Sequence, residues 1–391
     1  MGLVKTKLPL YNIIKHTRDA LYRCISRIFN FFPLEEKKVV FSNFNGKGFG
    51  DNPKYIAIAL HNLSGYKLLW IVNDKCEQLP SYIIPIKRNS IASLYHMSTA
   101  QIWIDNTRKD PYYTKRRGQF YLQTWHGSIA LKRIEKDVEN VLGAYYVKNA
   151  KRDSKMIDVM ISDSEFTDKL YRNSFWYDGP IERCGSPRID CLFNEYKIKE
   201  IREKLNIGEE EYVVLYAPTF RNSLRMDVYD IDLEAIRGKF VEQTGKKTVI
   251  LVRMHPNLTW IIKDSLFDNV VDVTNYPDVY ELLLASDVLI TDYSTLMFEF
   301  PIVKAKPVFC YAKDMDEYDR GFYFDLNELP FPFFRTNKEL VNGIKVFNKE
   351  KYSMNLKEFY EKIGMFNDGL AGGRTAEYID NKVCKKNADD V

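Results

Sequence analysis

Between residues 278 and 300 the hydrophobic pattern changes period twice. Val279, Leu282, Leu283 and Leu284 give an apolar helical face, and Val288, Leu289 and Ile290 then form a short unbroken run bounded by Asp287 and Asp292. A run without alternation suits a strand covered on both faces, as in a parallel sheet. After Thr291, Asp292, Tyr293, Ser294 and Thr295 an apolar helix resumes. Hydroxyl side chains and unpaired backbone N–H groups are thus predicted at a helix N-terminus just past a strand, an arrangement that binds phosphate. Plain N-capping by Asp292 or Ser294 fits the same letters.

Short apolar runs alternate with helical stretches along most of the chain. Strands are predicted at 38–41, 66–72, 101–105, 120–124 and 159–162. After a Lys- and Glu-rich stretch at 190–210, more follow at 212–216, 248–253, 270–273, 288–291 and 307–310. Strands separated by helices imply an α/β protein with parallel sheets and right-handed crossovers. The repeat of this texture predicts two Rossmann-like domains, 34–192 and 193–366, facing each other across a cleft. Ligands bind at the carboxyl ends of such strands. Helices are expected at 338–348 and 354–364, and the tail 367–391 is expected to fray from Lys382. The glycine-rich loop 45–52 lacks the Lys-Ser/Thr pair of a P-loop and reads as a flexible loop.

The first 33 residues differ. Leu10, Ile14, Leu21, Ile25, Ile28 and Phe32 recur at helical spacing among Lys5, Lys7, Lys15, Arg18, Arg23 and Arg27, with Asp19 the one acid before Pro33. A basic amphipathic helix that exposes Tyr22, Phe29 and Phe31 fits an anionic membrane interface. A helix docked on the protein with its basic face in water fits as well.

Composition narrows the classes. With 391 residues and 45% hydrophobic content, the chain can bury two cores. Lys and Arg exceed Asp and Glu by only four, which argues against nucleic acid as a partner. The six cysteines lack CxxC spacing, and Cys184 and Cys310 sit in or beside apolar runs, which predicts reduced, buried thiols. No zinc pattern, secretory signal or 18-residue apolar span is found, so neither a bound metal nor a transmembrane helix is expected.

Two of the five histidines stand at strand ends, His126 in Thr124-Trp125-His126-Gly127 and His255 in Arg253-Met254-His255-Pro256-Asn257. Each follows a buried strand, one in each half, whereas His16, His61 and His96 fall on helix-like runs. An imidazole titrates near pH ~6.5 and can take a proton from an attacking hydroxyl or donate to phosphate oxygens. Arg253, Arg221 and Lys306 are candidate anion ligands. Arg221, after Ala217-Pro218-Thr219-Phe220, is equally readable as a solvated loop residue.

These residues carry a resemblance. The chain resembles the CDP-glycerol glycerophosphotransferases, the teichoic-acid primases and polymerases of Gram-positive cell-wall synthesis and their relatives in capsule synthesis. The motifs are Gln123-Thr124-Trp125-His126-Gly127, Ile161-Ser162-Asp163-Ser164, Gly185-Ser186-Pro187-Arg188-Ile189-Asp190, Tyr216-Ala217-Pro218-Thr219-Phe220-Arg221 and Arg253-Met254-His255-Pro256. They continue through Thr291-Asp292-Tyr293-Ser294-Thr295 and Lys306-Pro307-Val308 to Tyr318-Asp319-Arg320-Gly321. The resemblance implies a GT-B-like fold, with CDP-glycerol held mainly by the C-terminal half. It implies that His126 is the base, that His255 meets the donor pyrophosphate, and that Ser294 and Thr295 grip phosphate. Asp292, Arg253, Arg221, Pro218, Asn257, Lys306, Asp319 and Arg320 complete the expected substrate site. It also implies a peripheral protein of the cytoplasmic membrane face that works on a lipid-linked glycan or polyol-phosphate acceptor.

The expected reaction is phosphotransfer with release of CMP, without a cofactor; Mg2+, if used, is loosely held. The segment Ser128-Ile129-Ala130-Leu131-Lys132-Arg133 is one residue longer than the family's usual form and lacks its proline, a departure that bears on the acceptor. Alternatives are a CDP-ribitol donor, a GT-B glycosyltransferase using a nucleotide sugar, and a catalytically silent membrane subunit.

Overall fold

A computed structural model describes residues 7–73, 79–221, 227–254, 270–315 and 321–389, with side chains from 16 to 383. The first half is built on β1 (Glu35–Ser42), β2 (Lys67–Val72), β3 (Ile83–Lys87), β4 (Ala100–Asp105), β5 (Phe120–Gln123), β6 (Val159–Ile161) and β7 (Ile181–Glu182). They form one sheet in the order β3-β2-β1-β4-β5-β6-β7. The second half holds β8 (Tyr212–Tyr216), β9 (Thr248–Val252), β10 (Val270–Asp272), β11 (Val288–Thr291), β12 (Val308–Tyr311) and β13 (Phe333–Phe334), ordered β10-β9-β8-β11-β12-β13. Every pairing between these strands is parallel. The unbroken apolar runs are therefore central strands buried on both faces: Val213, Val214, Leu215, Val288, Leu289 and Ile290 are fully buried.

The strands absent from the sequence reading are β3, β7 and β13. All three lie at or near a sheet edge, β7 and β13 are two residues long, and β3 contains Pro85, which only an edge strand tolerates.

Both chain ends cover the first sheet. The helix Lys7–Phe29 packs Tyr22, Ile25 and Phe29 against the core that includes Val40, Trp103 and Tyr121. Tyr22 donates to the Asn89 carbonyl (2.8 Å), and Phe29 meets Tyr95 edge-on. Tyr22 and Phe29 are thus docked rather than exposed, while Phe31 is 91% exposed as expected. The tail does not fray at Lys382. A helix, Ala371–Asp389, crosses back and buries Ala376, Ile379 and Val383 with Val39, Phe41 and Ile56 of the first half. Domain-wise, residues after 366 belong with the N-terminal half. Of the cysteines, Cys184, Cys191 and Cys310 are buried thiols and Cys24 is an exposed one.

The halves are joined by charge as well as by chain. Lys54, on the helix Asp51–Leu63, bridges Asp278 (2.7 Å) and Glu281 (2.9 Å) on the other half, and the Tyr55 hydroxyl also donates to Asp278 (2.8 Å). On one side of the cleft the segment after Gly127 forms an antiparallel bridge, Lys132 with Phe322, and the Arg133 N–H donates to the Gly321 carbonyl.

Candidate active site

The carboxyl ends of both sheets face one cavity of about 370 Å³. From the first half come Phe44, Asp51, His126 and Arg188; from the second come Ala217, Pro218, Thr219, Phe220, Arg253, Met254, Ser294 and Thr295. This is where parallel sheets bind ligands, because strand ends release backbone groups and loops there. A larger hollow, about 650 Å³, lies elsewhere beside Tyr55, Asp190 and Tyr196, away from the strand ends.

His126 is held in one orientation. β5 ends at Gln123, whose side chain accepts the Trp125 N–H (2.9 Å) and donates to the Thr107 carbonyl. Trp125 takes a left-handed φ of 53°, a costly conformation for an aromatic residue that tertiary contacts must enforce. The turn stacks His126 on Trp125 at 4.3 Å between ring centres and sets it beside Phe44 at 5.3 Å. His126 Nδ1 lies 2.6 Å from the Asn106 carbonyl. A carbonyl only accepts, so Nδ1 carries the proton and Nε2 keeps its lone pair. Asn106 is itself fixed: its amide donates to Asn43 Oδ1 (2.7 Å) and accepts from the Phe44 N–H (2.8 Å). The glycine loop, expected to be flexible, is pinned here by Asn43 donating to the Lys47 carbonyl (2.8 Å). Burial lowers the His126 pKa below the ordinary histidine value, with the Asn106 contact pulling the other way.

Ser294 and Thr295 reach the same cavity from the opposite half. The halves meet closely at Gly127, where a Cβ would sit 3.2 Å from Thr295 Cγ2 and press that side chain aside. The helix that follows is only Leu296–Glu299, so its dipole is small and phosphate affinity must come mainly from the hydroxyls and local N–H groups. Arg253 lines the cavity while donating to the Tyr276 carbonyl (2.6 Å), and burial lowers its pKa. Pro218 lies on the cavity wall.

Three expected ligands are engaged elsewhere. The Arg221 guanidinium pairs with Asp292 (2.9 Å) and Asp314 (2.6 Å) and donates to Thr219. Asp292 in turn accepts the Thr219 and Tyr293 N–H groups (2.9 and 2.6 Å), which fixes the turns after β8 and β11. Lys306 caps the helix Val279–Ala285 by donating to the carbonyls of Leu284 (3.0 Å) and Ser286 (2.6 Å), with its pKa pushed down to about 8 by burial. Arg221 and Asp292 therefore shape the site, and Lys306 stands apart from it. His255, Asn257, Asp319 and Arg320 lie outside the described residues.

The sequence reading missed the charged floor. Arg188 is buried between Asp51 (2.7 Å) and Glu299, which also accepts from Ser128 (3.2 Å) and Tyr280. The trio joins both halves, and Asp51 and Arg188 line the cavity together with His126. Its signal was a lone Glu299 inside the apolar run Leu296-Met297-Phe298-Glu299-Phe300, since a charge in a buried helix needs a partner. Among the described residues no group of three or more His, Cys, Asp or Glu side chains is arranged to hold a metal ion.

Two parallel sheets facing each other at their carboxyl ends, with a shared cavity between, define a GT-B-like fold. The chain belongs to the CDP-Glycerol:Poly(glycerophosphate) glycerophosphotransferase family, whose model matches residues 24–381. It is 33% identical to the teichoic acid poly(glycerol phosphate) polymerase of Staphylococcus epidermidis, over 97% of this chain and 55% of that protein. It is 32% identical to the teichoic acid glycerol-phosphate transferase of Staphylococcus aureus, over 95% and 99% of the two chains. The chain thus spans about half the length of the S. epidermidis polymerase (55%) and of its Bacillus subtilis counterpart (51%). In structure it matches the wall teichoic acid polymerase TagF with a TM-score of 0.83, at 30% identity over 98% of both chains. MnaA of S. aureus, at 14% identity and a TM-score of 0.52 over 88% of this chain and 96% of its own, shares the fold alone.

Proposed function

We propose that this chain transfers glycerol phosphate from CDP-glycerol to a hydroxyl of a polymeric teichoic-acid acceptor and releases CMP. The observation that carries the reading is the orientation of His126: a neutral imidazole with its lone pair on Nε2, at the cavity opposite Ser294 and Thr295. The named activities of the relatives agree with it, and a TagF variant has been solved after soaking with CDPG. In the proposed step the acceptor oxygen attacks the glycerol-bearing phosphorus. Its proton passes to His126 Nε2, the bond from that phosphorus to the bridging oxygen breaks, and CMP departs. Ser294, Thr295 and Arg253 hold the phosphate oxygens, and positioning supplies much of the acceleration.

A base must be unprotonated to act, and burial holds His126 below its usual pKa. The acid limb of kcat/KM for CMP release is therefore expected to have its midpoint below the ordinary histidine value of about 6.5. A midpoint at or above neutrality would contradict His126 as the base.

We further propose that the protein works peripherally on an anionic membrane, where a lipid-linked acceptor is presented. Leu21, Ile28, Phe31 and Phe32 are 57%, 59%, 91% and 46% exposed; Leu21 and Ile28 form an outward apolar strip on one face of the N-terminal helix, with Phe31 just past its end. Among the described residues no helix is long and apolar enough to cross a membrane. Leu21→Glu with Phe31→Glu is expected to abolish sedimentation with vesicles of any headgroup and leave thermal stability unchanged. Undiminished sedimentation of the double variant would rule out this strip as the anchor.

A further inference from the structure

The sequence places Arg23 on the solvated basic face of the first helix. In the fold it turns toward the protein, into the groove between that helix and the helix Ala144–Ser154. His16 meets Tyr145 edge-on there, and the Tyr145 hydroxyl donates to Asp19 (2.7 Å). Arg152 lies two turns beyond Tyr145 on the same face. Arg23 Nη2 donates to the Pro111 carbonyl at 3.0 Å, and Arg152 donates to the same Pro111 oxygen and to the Tyr113 carbonyl. Two guanidinium groups therefore converge on one neutral acceptor. Further along the groove Arg116 donates to the Asn30 carbonyl.

Every neighbouring carboxylate is engaged elsewhere. Asp19 is paired with Arg18, Asp110 with Arg88, Asp153 with Arg108, and Asp158 with Lys115. Arg23 Nε, Arg116 Nε and Arg116 Nη2 are buried N–H donors without an acceptor. Burial lowers the pKa of Arg116 and Arg152, and for Arg152 the Arg23 charge adds to the effect while Asp153 opposes it. Converging cations whose neighbouring carboxylates are committed to other partners are costly to keep. A planar fork of N–H donors is also the group that best fits a phosphate. The groove flanks the helix whose outer face carries the exposed Leu21 and Ile28, with Phe31 just past its end.

We infer that Arg23 and Arg152, extended by Arg116, form a phosphate-binding site separate from the cleft, which takes the headgroup phosphate of an anionic lipid. A phosphate oxygen would replace the shared Pro111 carbonyl as the acceptor between the two forks and bring negative charge to a place now held by a neutral oxygen.

The test uses the full chain with vesicles of phosphatidylcholine alone or mixed with phosphatidylglycerol, and thermal unfolding with and without inorganic phosphate. Arg23→Lys with Arg152→Lys keeps the charge and removes the forks. It is expected to lose about tenfold or more of the preference for phosphatidylglycerol, whereas Arg27→Lys on the exposed surface is expected to lose none. Affinity for phosphatidylcholine stays unchanged, which separates this site from the apolar strip. If the double variant keeps its vesicle preference but loses stabilisation by inorganic phosphate, the ligand is a free phosphate and the lipid assignment falls. If it matches wild type in both assays, the site does not exist. Arg152→Lys alone serves the same comparison should the double variant fail to fold.

Discussion

Replacing His126 with alanine is expected to lower CMP release from CDP-glycerol by about 10²–10⁴-fold, the range that a positioned general base supplies. The protein should remain folded. The imidazole gives up one hydrogen bond, from Nδ1 to the Asn106 carbonyl, and the space it vacates adjoins the cavity that His126 lines, so water can replace the lost donor. The turn itself is built by Gln123, Asn52 and the Asn43–Asn106 amide pair, none of which the substitution touches. KM for the donor should move little, since the proposed donor contacts come from Ser294, Thr295 and Arg253 in the other half. Steady-state kinetics on a variant with an unchanged urea midpoint checks this, and near-normal turnover would remove His126 from the mechanism.

The second large effect is on stability. Arg188→Met is expected to destabilise the protein by about 3–5 kcal/mol, because it strands Asp51 and Glu299 as buried charges without a cation. The pair spans both halves, so the loss falls on their association as well as on either core. Tyr280 and Ser128 still donate to Glu299 and moderate the cost. Adding Glu299→Gln removes one stranded charge and should restore a large part of the loss, a non-additivity read from a double-mutant cycle in urea. Strict additivity of the two substitutions would mean that they do not form one unit.

Much of the architecture was legible because parallel strands buried on both faces write themselves as unbroken apolar runs. Tyr212–Tyr216, Thr248–Val252 and Val288–Thr291 stand close to where the pattern puts them. The edge strands escaped because two or five residues with one covered face leave no such run. The C-terminal helix was misread as a tail for another reason. Its polar composition is real, but its partners Phe41 and Ile56 lie more than 300 residues away, and local pattern carries no information about that.

The site was legible in part for the same reason. His126, Ser294 and Thr295 owe their place to strand ends, which sequence marks. What occupies a cation is settled by partners far along the chain. Arg221 is taken by Asp314, 93 residues on, and Lys306 by the end of a helix about 20 residues earlier. A phosphate ligand, a core ion pair and a helix cap are the same letter in a sequence. Arg23 shows the converse, since helical spacing puts it on the basic face of the first helix, and in the fold it turns inward to the Pro111 carbonyl.

The central claim is that acceptor oxygen attacks the glycerol-bearing phosphorus of CDP-glycerol. The most direct measurement follows CMP release and acceptor mass together, on a glycerol phosphate-primed acceptor, with CDP-ribitol as a parallel donor. The account predicts one CMP released for each glycerol phosphate added to the acceptor, from CDP-glycerol and not from CDP-ribitol. CMP release without acceptor growth, or growth only with CDP-ribitol, would contradict it.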